Sequence, residues 1–330
     1  MVLSKDELLK EFEDALNECG AAYERKSGPA EHPAFYEVYR GSKAFSLQVY
    51  IWNISHGGKT RPSDEYRIQV TGVESLTNDP EYTTLVLGWK EPEEVFAGWD
   101  VKMHAGRVSF SPSMQVKQSS LREAEERGLS LCHRGGDEIT AAFRPDMTIA
   151  YIQHIRGLHG HTYGTEWANE LNEALKQAAE DDSPLPSEEG APTPQERDRR
   201  QVSRIVRDKS FTNRVKGAYG YACSVCGVQL DLVDAAHIVP VPHEKSTDHT
   251  TNGLCLCALH HRAFDNALIE IRPNYSIGLN EKYVKLLKAA GRAQGLGRFE
   301  GGLRDWLALP ADKALRPVPG FLKLRLEIAS

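Results

Sequence analysis

Six cysteines occur in 330 residues, and four of them fall between Cys223 and Cys257. That clustering constrains the fold of the C-terminal third more than any other feature. A disulfide framework would spread its cysteines, and a reducing cytosol would not keep it oxidised. Cys223 and Cys226 form a Cys-x2-Cys knuckle, whose turn aims two thiolates at one ion. Cys257 and His260 repeat the i, i+3 spacing further along. Three sulfurs and one imidazole nitrogen suit a closed, tetrahedral structural zinc. Cys255 competes for the third position, with a less regular spacing to His260. A closed shell leaves no open coordination position, so such a zinc staples the chain and does no chemistry. Cys19 and Cys132 stand apart. Cys19, near the end of an expected helix, reads as a packed thiol.

The histidines nearby are arranged differently. His237 lies in the apolar run Ala235 to Val239, just before Pro240. A lone histidine there would ordinarily be a hydrogen-bonded core residue. Here Asn252 follows, and then His261, directly after a candidate zinc ligand. A strand, a loop, a return strand and a helix start would bring the three side chains together. With the zinc pairs, Pro240 and the Phe264-Asp265 tail, the pattern over about Ala218 to Ile271 resembles the HNH nuclease family with its ββα-metal fold. The Ala-Ala-His-Ile and Leu-His-His-Arg-Ala-Phe-Asp forms are similar to HNH domains at the C-terminus of bacterial restriction-type enzymes.

The resemblance implies roles. His237 would be the general base that takes a proton from the attacking water, a task suited to a neutral imidazole near pH 7. His261 would ligate a catalytic divalent cation, Mg2+ or Mn2+, that neutralises the scissile phosphate. Asn252 would hold the loop and orient His237, or join the metal shell. Many HNH sites place an Asp or His directly before the catalytic His as a second metal ligand, and here that position is Ala236. Asp234 on the same strand, or Asp265 one helical turn beyond His261, would replace it, with Asp234 preferred. Arg262 reads either as a phosphate contact or as an ordinary exposed helix residue. His243 and His249 read as exposed loop residues, and Asp248 as an aid to the turn before Asn252.

The first half has a different texture. Ser4 and Glu7 fit a capping box, and Leu8, Leu9, Phe12, Leu16 and Cys19 share one face of an opening helix. Residues 45–52, 66–71, 83–89, 108–110 and 138–143 read as strands, and 121–128, 145–154 and 165–179 as helices. An acidic, proline-rich segment then reads as a solvated linker. The expected architecture is α+β: a strand-rich α+β recognition domain at 1–182, a linker at 183–196, and a ββα-metal HNH domain at 197–330.

Basic residues crowd the start of that last domain. Arg204, Arg207, Lys209 and Arg214 are candidate phosphate contacts, against the plainer reading of a solvated helix face. Lys282, Lys285, Lys288 and Arg292 offer another basic face. In the first domain, Trp52 to Gln69 is dense in glycine and charge, as binding loops are. His56, Lys59 and Arg61 could contact DNA. Trp52, Trp89 and Trp99 either stack on a flipped or modified base or fill a β core. Asp100-Val-Lys102 matches the acid-x-Lys form of another nuclease fold over three residues only. His154, His159 and His161 hint at metal, but Gly157 and Gly160 favour a plain loop.

A formal net charge of -6 excludes a basic nucleic-acid coat, although binding faces are local. No run of about 18 apolar residues occurs, and the N-terminus lacks a signal-peptide core, so a soluble cytoplasmic protein with no membrane partner is expected. The expected activity is a metal-dependent DNA endonuclease of restriction or defence type, whose first domain selects unmodified or modified double-stranded DNA. One HNH site cuts one strand per binding event, so a double-strand break implies a homodimer or sequential nicks. Two alternatives are an HNH effector triggered by a signalling molecule or partner protein, and a non-enzymatic zinc-finger DNA binder. The His237, Asn252, His261 trio speaks against the second.

Overall fold

A computed structural model of the chain describes residues 2–28, 31–58, 62–107, 112–133, 138–180 and 193–329. Two compact units divide it, one built on Met1–Glu180 and extending to Val206, the other starting at Arg207.

The first unit is built on a seven-stranded sheet in the order Ala22–Arg25, Ala34–Arg40, Lys43–Asn53, Thr83–Lys90, Val95–Trp99, Ile139–Phe143, Leu129–His133. Neighbours run antiparallel except Lys43–Asn53 and Thr83–Lys90, which are parallel. Side-chain alternation splits the sheet between two cores. Leu47, Val49, Ile51, Leu85, Leu87, Phe96 and Phe143 face one, with Leu8, Leu9, Phe12 and Leu16 of the helix Lys5–Glu18. Tyr50, Trp52, Val86, Val95, Ala97, Trp99 and Ala142 face the other, with Ile68, Val116 and Leu121. Those last residues come from a smaller sheet, Ser113–Lys117, Glu65–Gln69 and Ser55–His56, and from the helix Gln118–Arg127. Strands covered on both faces read as apolar runs without strict alternation.

The opening helix carries its capping box. The Ser4 hydroxyl accepts the Glu7 amide at 3.3 Å, and the Glu7 carboxylate accepts the Ser4 amide at 2.7 Å. Cys19 is buried, with its thiol against the Pro145 and Asp146 carbonyls. The strand expected at 108–110 lies outside the described residues, as does the expected linker up to residue 192. From Pro194 the chain is helical to Ala218, and Thr193 and Glu196 close a second capping box.

The second unit centres on an antiparallel hairpin, Val233–His237 against Gly253–Cys257, with His237 opposite Gly253 and Val233 opposite Cys257. The helix Ala258–Asp265 follows immediately, giving a strand–strand–helix unit. Ile238, Leu254, Leu256 and Phe264 pack there with Phe211 and Val215 of the helix Pro194–Ala218. Gly253 permits that approach, since a Cβ there would lie 2.3 Å from Val215 Cγ2. A second hairpin, Ile269–Ile271 and Ile277–Leu279, and the helices Glu281–Ala289 and Pro319–Ile328 complete the unit. No helix of the described residues is long and apolar enough to cross a membrane.

Candidate active site and metal centre

The knuckle forms as its spacing requires. The Cys223 amide donates to Val228 O at 2.8 Å, and the Gly227 amide to Cys223 O at 2.7 Å, with Gly227 at φ +82° in the left-handed region that favours glycine. Cys257 ends the second hairpin strand and His260 sits in the first turn of the next helix. The ligand atoms of Cys223, Cys226, Cys257 and His260 lie within 4.8 Å of one another. His260 Nδ1 is 3.5 Å from Cys223 Sγ and 3.2 Å from Cys257 Sγ, and Cys226 Sγ is 4.0 Å from Cys257 Sγ. Burial raises the Cys223 thiol, but its hydrogen bond to His260 and the amides of Cys257, Cys226 and Val225 outweigh that and bring it down to about 6. The competitor Cys255 stays outside the quartet, and burial pushes its thiol up to about 12. Three thiols and an imidazole nitrogen, three of the four residues buried, fit Zn2+.

His237 ends its strand half-buried, with its ring stacked on Phe211 at 3.9 Å between centroids and 12° between planes. Its Nε2 is 2.8 Å from Asp248 Oδ1. An ionised carboxylate only accepts, so Nε2 carries the proton and the lone pair of the neutral ring lies on Nδ1. Burial raises the Asp248 carboxyl, but the His237 hydrogen bond and the charges of His237, Arg207 and Arg214 outweigh it and hold it below the ordinary aspartate range. Arg207 Nε lies 3.9 Å from Asp248 Oδ2, and Arg214 donates to the Asp248 main-chain oxygen at 2.8 Å. Asp248 is therefore more than the turn-former expected. No local motif marks it, because its partner sits on a strand across the loop.

Asn252 is fully buried. Its Oδ1 accepts the Val239 amide at 2.9 Å, and its Nδ2 donates to Thr247 O at 2.8 Å. It anchors the loop between the hairpin strands. Of the two roles named for it, its hydrogen bonds match that of holding the loop.

His261 Nε2 lies 3.5 Å from Asp265 Oδ2, one helical turn on, and both side chains reach solvent. His261 stands with Asp265, the second of the two acids named for this role, while Asp234 lies on the strand face that it shares with Ala236. One imidazole nitrogen and one carboxylate oxygen, with open sides, fit a divalent cation that keeps water or phosphate ligands. Among the described residues, the zinc quartet is the one group of three or more such side chains that converges.

The candidate DNA contacts fare unevenly. Arg214 donates to the Asp248 main-chain oxygen and Arg207 lies 3.9 Å from the Asp248 carboxylate. Arg204 and Arg262 are exposed and Lys209 is half-buried. Trp52 is 4% exposed, donates Nε1–H to Thr71 O at 3.0 Å and carries Lys5 Nζ 4.4 Å above its ring. Trp89 and Trp99 are buried too, so all three tryptophans fill the β core and none is placed to stack on a base. His56 closes its own loop, accepting from the Gly58 amide and meeting Pro62 O. Lys59 and Arg61 lie outside the described residues.

In the first unit a cavity of about 680 Å³ is lined by Asp100, Lys102, His154, His159, His161 and Trp167, among others. Asp100 caps the short helix Val101–His104 and pairs with His161. No second carboxylate joins it in a metal cluster among the described residues, so the acid-x-Lys match has no nuclease geometry. His159 is buried between the Tyr151 hydroxyl and Ile139 O.

Residues 223–272 match the family model of the HNH endonuclease, and residues 45–152 match that of Methylase-associated X1. No curated protein matches the chain. One similar solved structure is a modification dependent TagI restriction endonuclease, at 12% identity and a TM-score of 0.28, covering 84% of this chain and 80% of that one. A score that low does not establish a common fold.

Proposed function

Because residues 223–272 form an HNH endonuclease domain and the chain is a nuclease, we propose that it is a metal-dependent DNA endonuclease of restriction type. The observation that carries the reading is His237 with Nε2 against the Asp248 carboxylate, in the same hairpin-and-helix unit as the zinc quartet and the His261–Asp265 pair. His237 Nδ1 accepts the proton of the attacking water. Asn252 holds the loop that follows His237. The Cys3His site holds the corner from which the helix of His261 departs. A divalent cation, Mg2+ or Mn2+, at His261 and Asp265 would supply charge neutralisation at the scissile phosphate and the leaving oxygen.

In this reading the domain at 1–182 selects double-stranded DNA, unmodified or modified, and a homodimer cuts both strands. The methylase-associated match covers residues 45–152 inside that domain. The cavity beside Asp100 and His161 favours a second reading, a nuclease switched on by a small signalling molecule bound there.

The test is cleavage, with Mg2+ or Mn2+, of matched DNAs that are unmodified, methylated, hydroxymethylated or phosphorothioated, beside a His237→Ala control. Cutting of one class, lost in the control with DNA binding kept, is expected. Equal cutting of all would remove the modification reader. Cutting of none would bring the signal-triggered reading forward, and full activity of the control would sink His237 as the base.

A further inference from the structure

We propose that Asp248 is the positioning carboxylate of His237, an inference that rests on the nuclease reading above. Oδ1 of Asp248 meets Nε2 of His237 at 2.8 Å, and both side chains are shielded, at 18% and 19% exposure. The bond decides which ring nitrogen faces the reaction. With Nε2–H given to Asp248, the lone pair on Nδ1 is the one that can accept a proton.

The proton balance follows. Water gives a proton to Nδ1 as its oxygen forms a bond to phosphorus. The ester P–O bond breaks, and the electron pair leaves on the ester oxygen, which is protonated by solvent. His237 is then an imidazolium, and its new charge lies beside a carboxylate that stays ionised. Asp248 takes no proton. It favours the charged ring that forms as the bond is made, and the attraction is stronger in a shielded site than in water. The Phe211 ring stacked on the imidazole keeps it from turning about that bond.

A plain structural role for the Asp248 side chain is the rival, and the loop argues against it. The loop is braced without that carboxylate. Arg214 holds the Asp248 main-chain oxygen, Asn252 holds Thr247 O and the Val239 amide, and the Ser246 hydroxyl holds Val239 O. None of these hydrogen bonds uses the Asp248 carboxylate. Arg207 sits 3.9 Å from the second carboxylate oxygen, on the side away from the His237 bond.

The experiment is steady-state DNA cleavage with Mn2+ by the full chain, as wild type, Asp248→Asn, Asp248→Ala and His237→Ala. Zinc content and thermal unfolding are measured on each. Both Asp248 variants should lose on the order of 100-fold in kcat with KM unchanged. Zinc content and unfolding temperature should stay at the wild-type values. Added formate should recover part of the lost kcat in Asp248→Ala and none in His237→Ala. Wild-type kcat in both Asp248 variants would overturn the proposal while leaving the nuclease reading standing. So would a loss confined to KM, or one that tracks zinc loss or unfolding. An active His237→Ala would instead bring down the reading beneath it.

Discussion

Adjacent histidines in one helix face different tasks because consecutive helical side chains point about 100° apart. His260 turns Nδ1 to the thiolates, while His261 turns Nε2 to Asp265 and solvent. The i, i+4 spacing of His261 and Asp265 puts both on one helix face. Removing a direct ligand should cost at least what removing an outer partner does. Asp265→Ala is therefore expected to raise the Mn2+ concentration for half-maximal cleavage by about tenfold or more, with Asp234→Ala unchanged. A metal titration of cleavage decides it, and the opposite ranking would favour Asp234. Asn252 shows what one residue can and cannot reveal. Its place in the motif is visible in the chain. Which groups its amide meets depends on the loop around it, and there Oδ1 accepts the Val239 amide while Nδ2 donates to Thr247 O.

Elements assemble the site from different sources. The hairpin and its helix are joined by the zinc quartet, which spans residues 223 to 260 and ties the knuckle to the helix start. A structural zinc contributes folding free energy outright. Cys223→Ser should therefore bind less than one zinc per chain and lower the thermal unfolding temperature of the second unit. Metal analysis with a melting curve checks this, and an unchanged melt would refute a structural zinc. The helix Pro194–Ala218 teaches a different lesson. Its charge suggests a phosphate-binding face, and its helical character is visible in the chain. In the structure Phe211 of this helix stacks on His237, Arg214 donates to the Asp248 main-chain oxygen, and Arg207 lies 3.9 Å from the Asp248 carboxylate. A basic helix looks the same in sequence whether its arginines meet phosphate or a carboxylate of its own chain.

For the whole molecule, a net charge of -6 means DNA must be held by a local face. Lys282, Lys285 and Lys288 are exposed on the helix Glu281–Ala289 and offer such a face. Replacing all three with Ala should weaken DNA binding and flatten the dependence of log K on log salt by about 0.9 for each phosphate no longer neutralised. Binding measured from low to moderate salt tests this, and an unchanged slope would place the DNA elsewhere. Sequence alone determined the features whose partners lie within a turn or a knuckle: the capping box at Ser4, the Cys-x2-Cys and Cys-x2-His pairs, and the order of His237, Asn252 and His261. These are local, because a few backbone angles set which side chains converge. Several sheet strands, including Val95–Trp99 and Leu129–His133, are not legible in the chain because burial on both faces erases the period of two. Tertiary structure alone decided that the tryptophans are core, that Asn252 is sealed in its loop, and that Asp248 reaches His237. Each depends on which surfaces meet across the fold, and residue type and spacing do not encode that meeting.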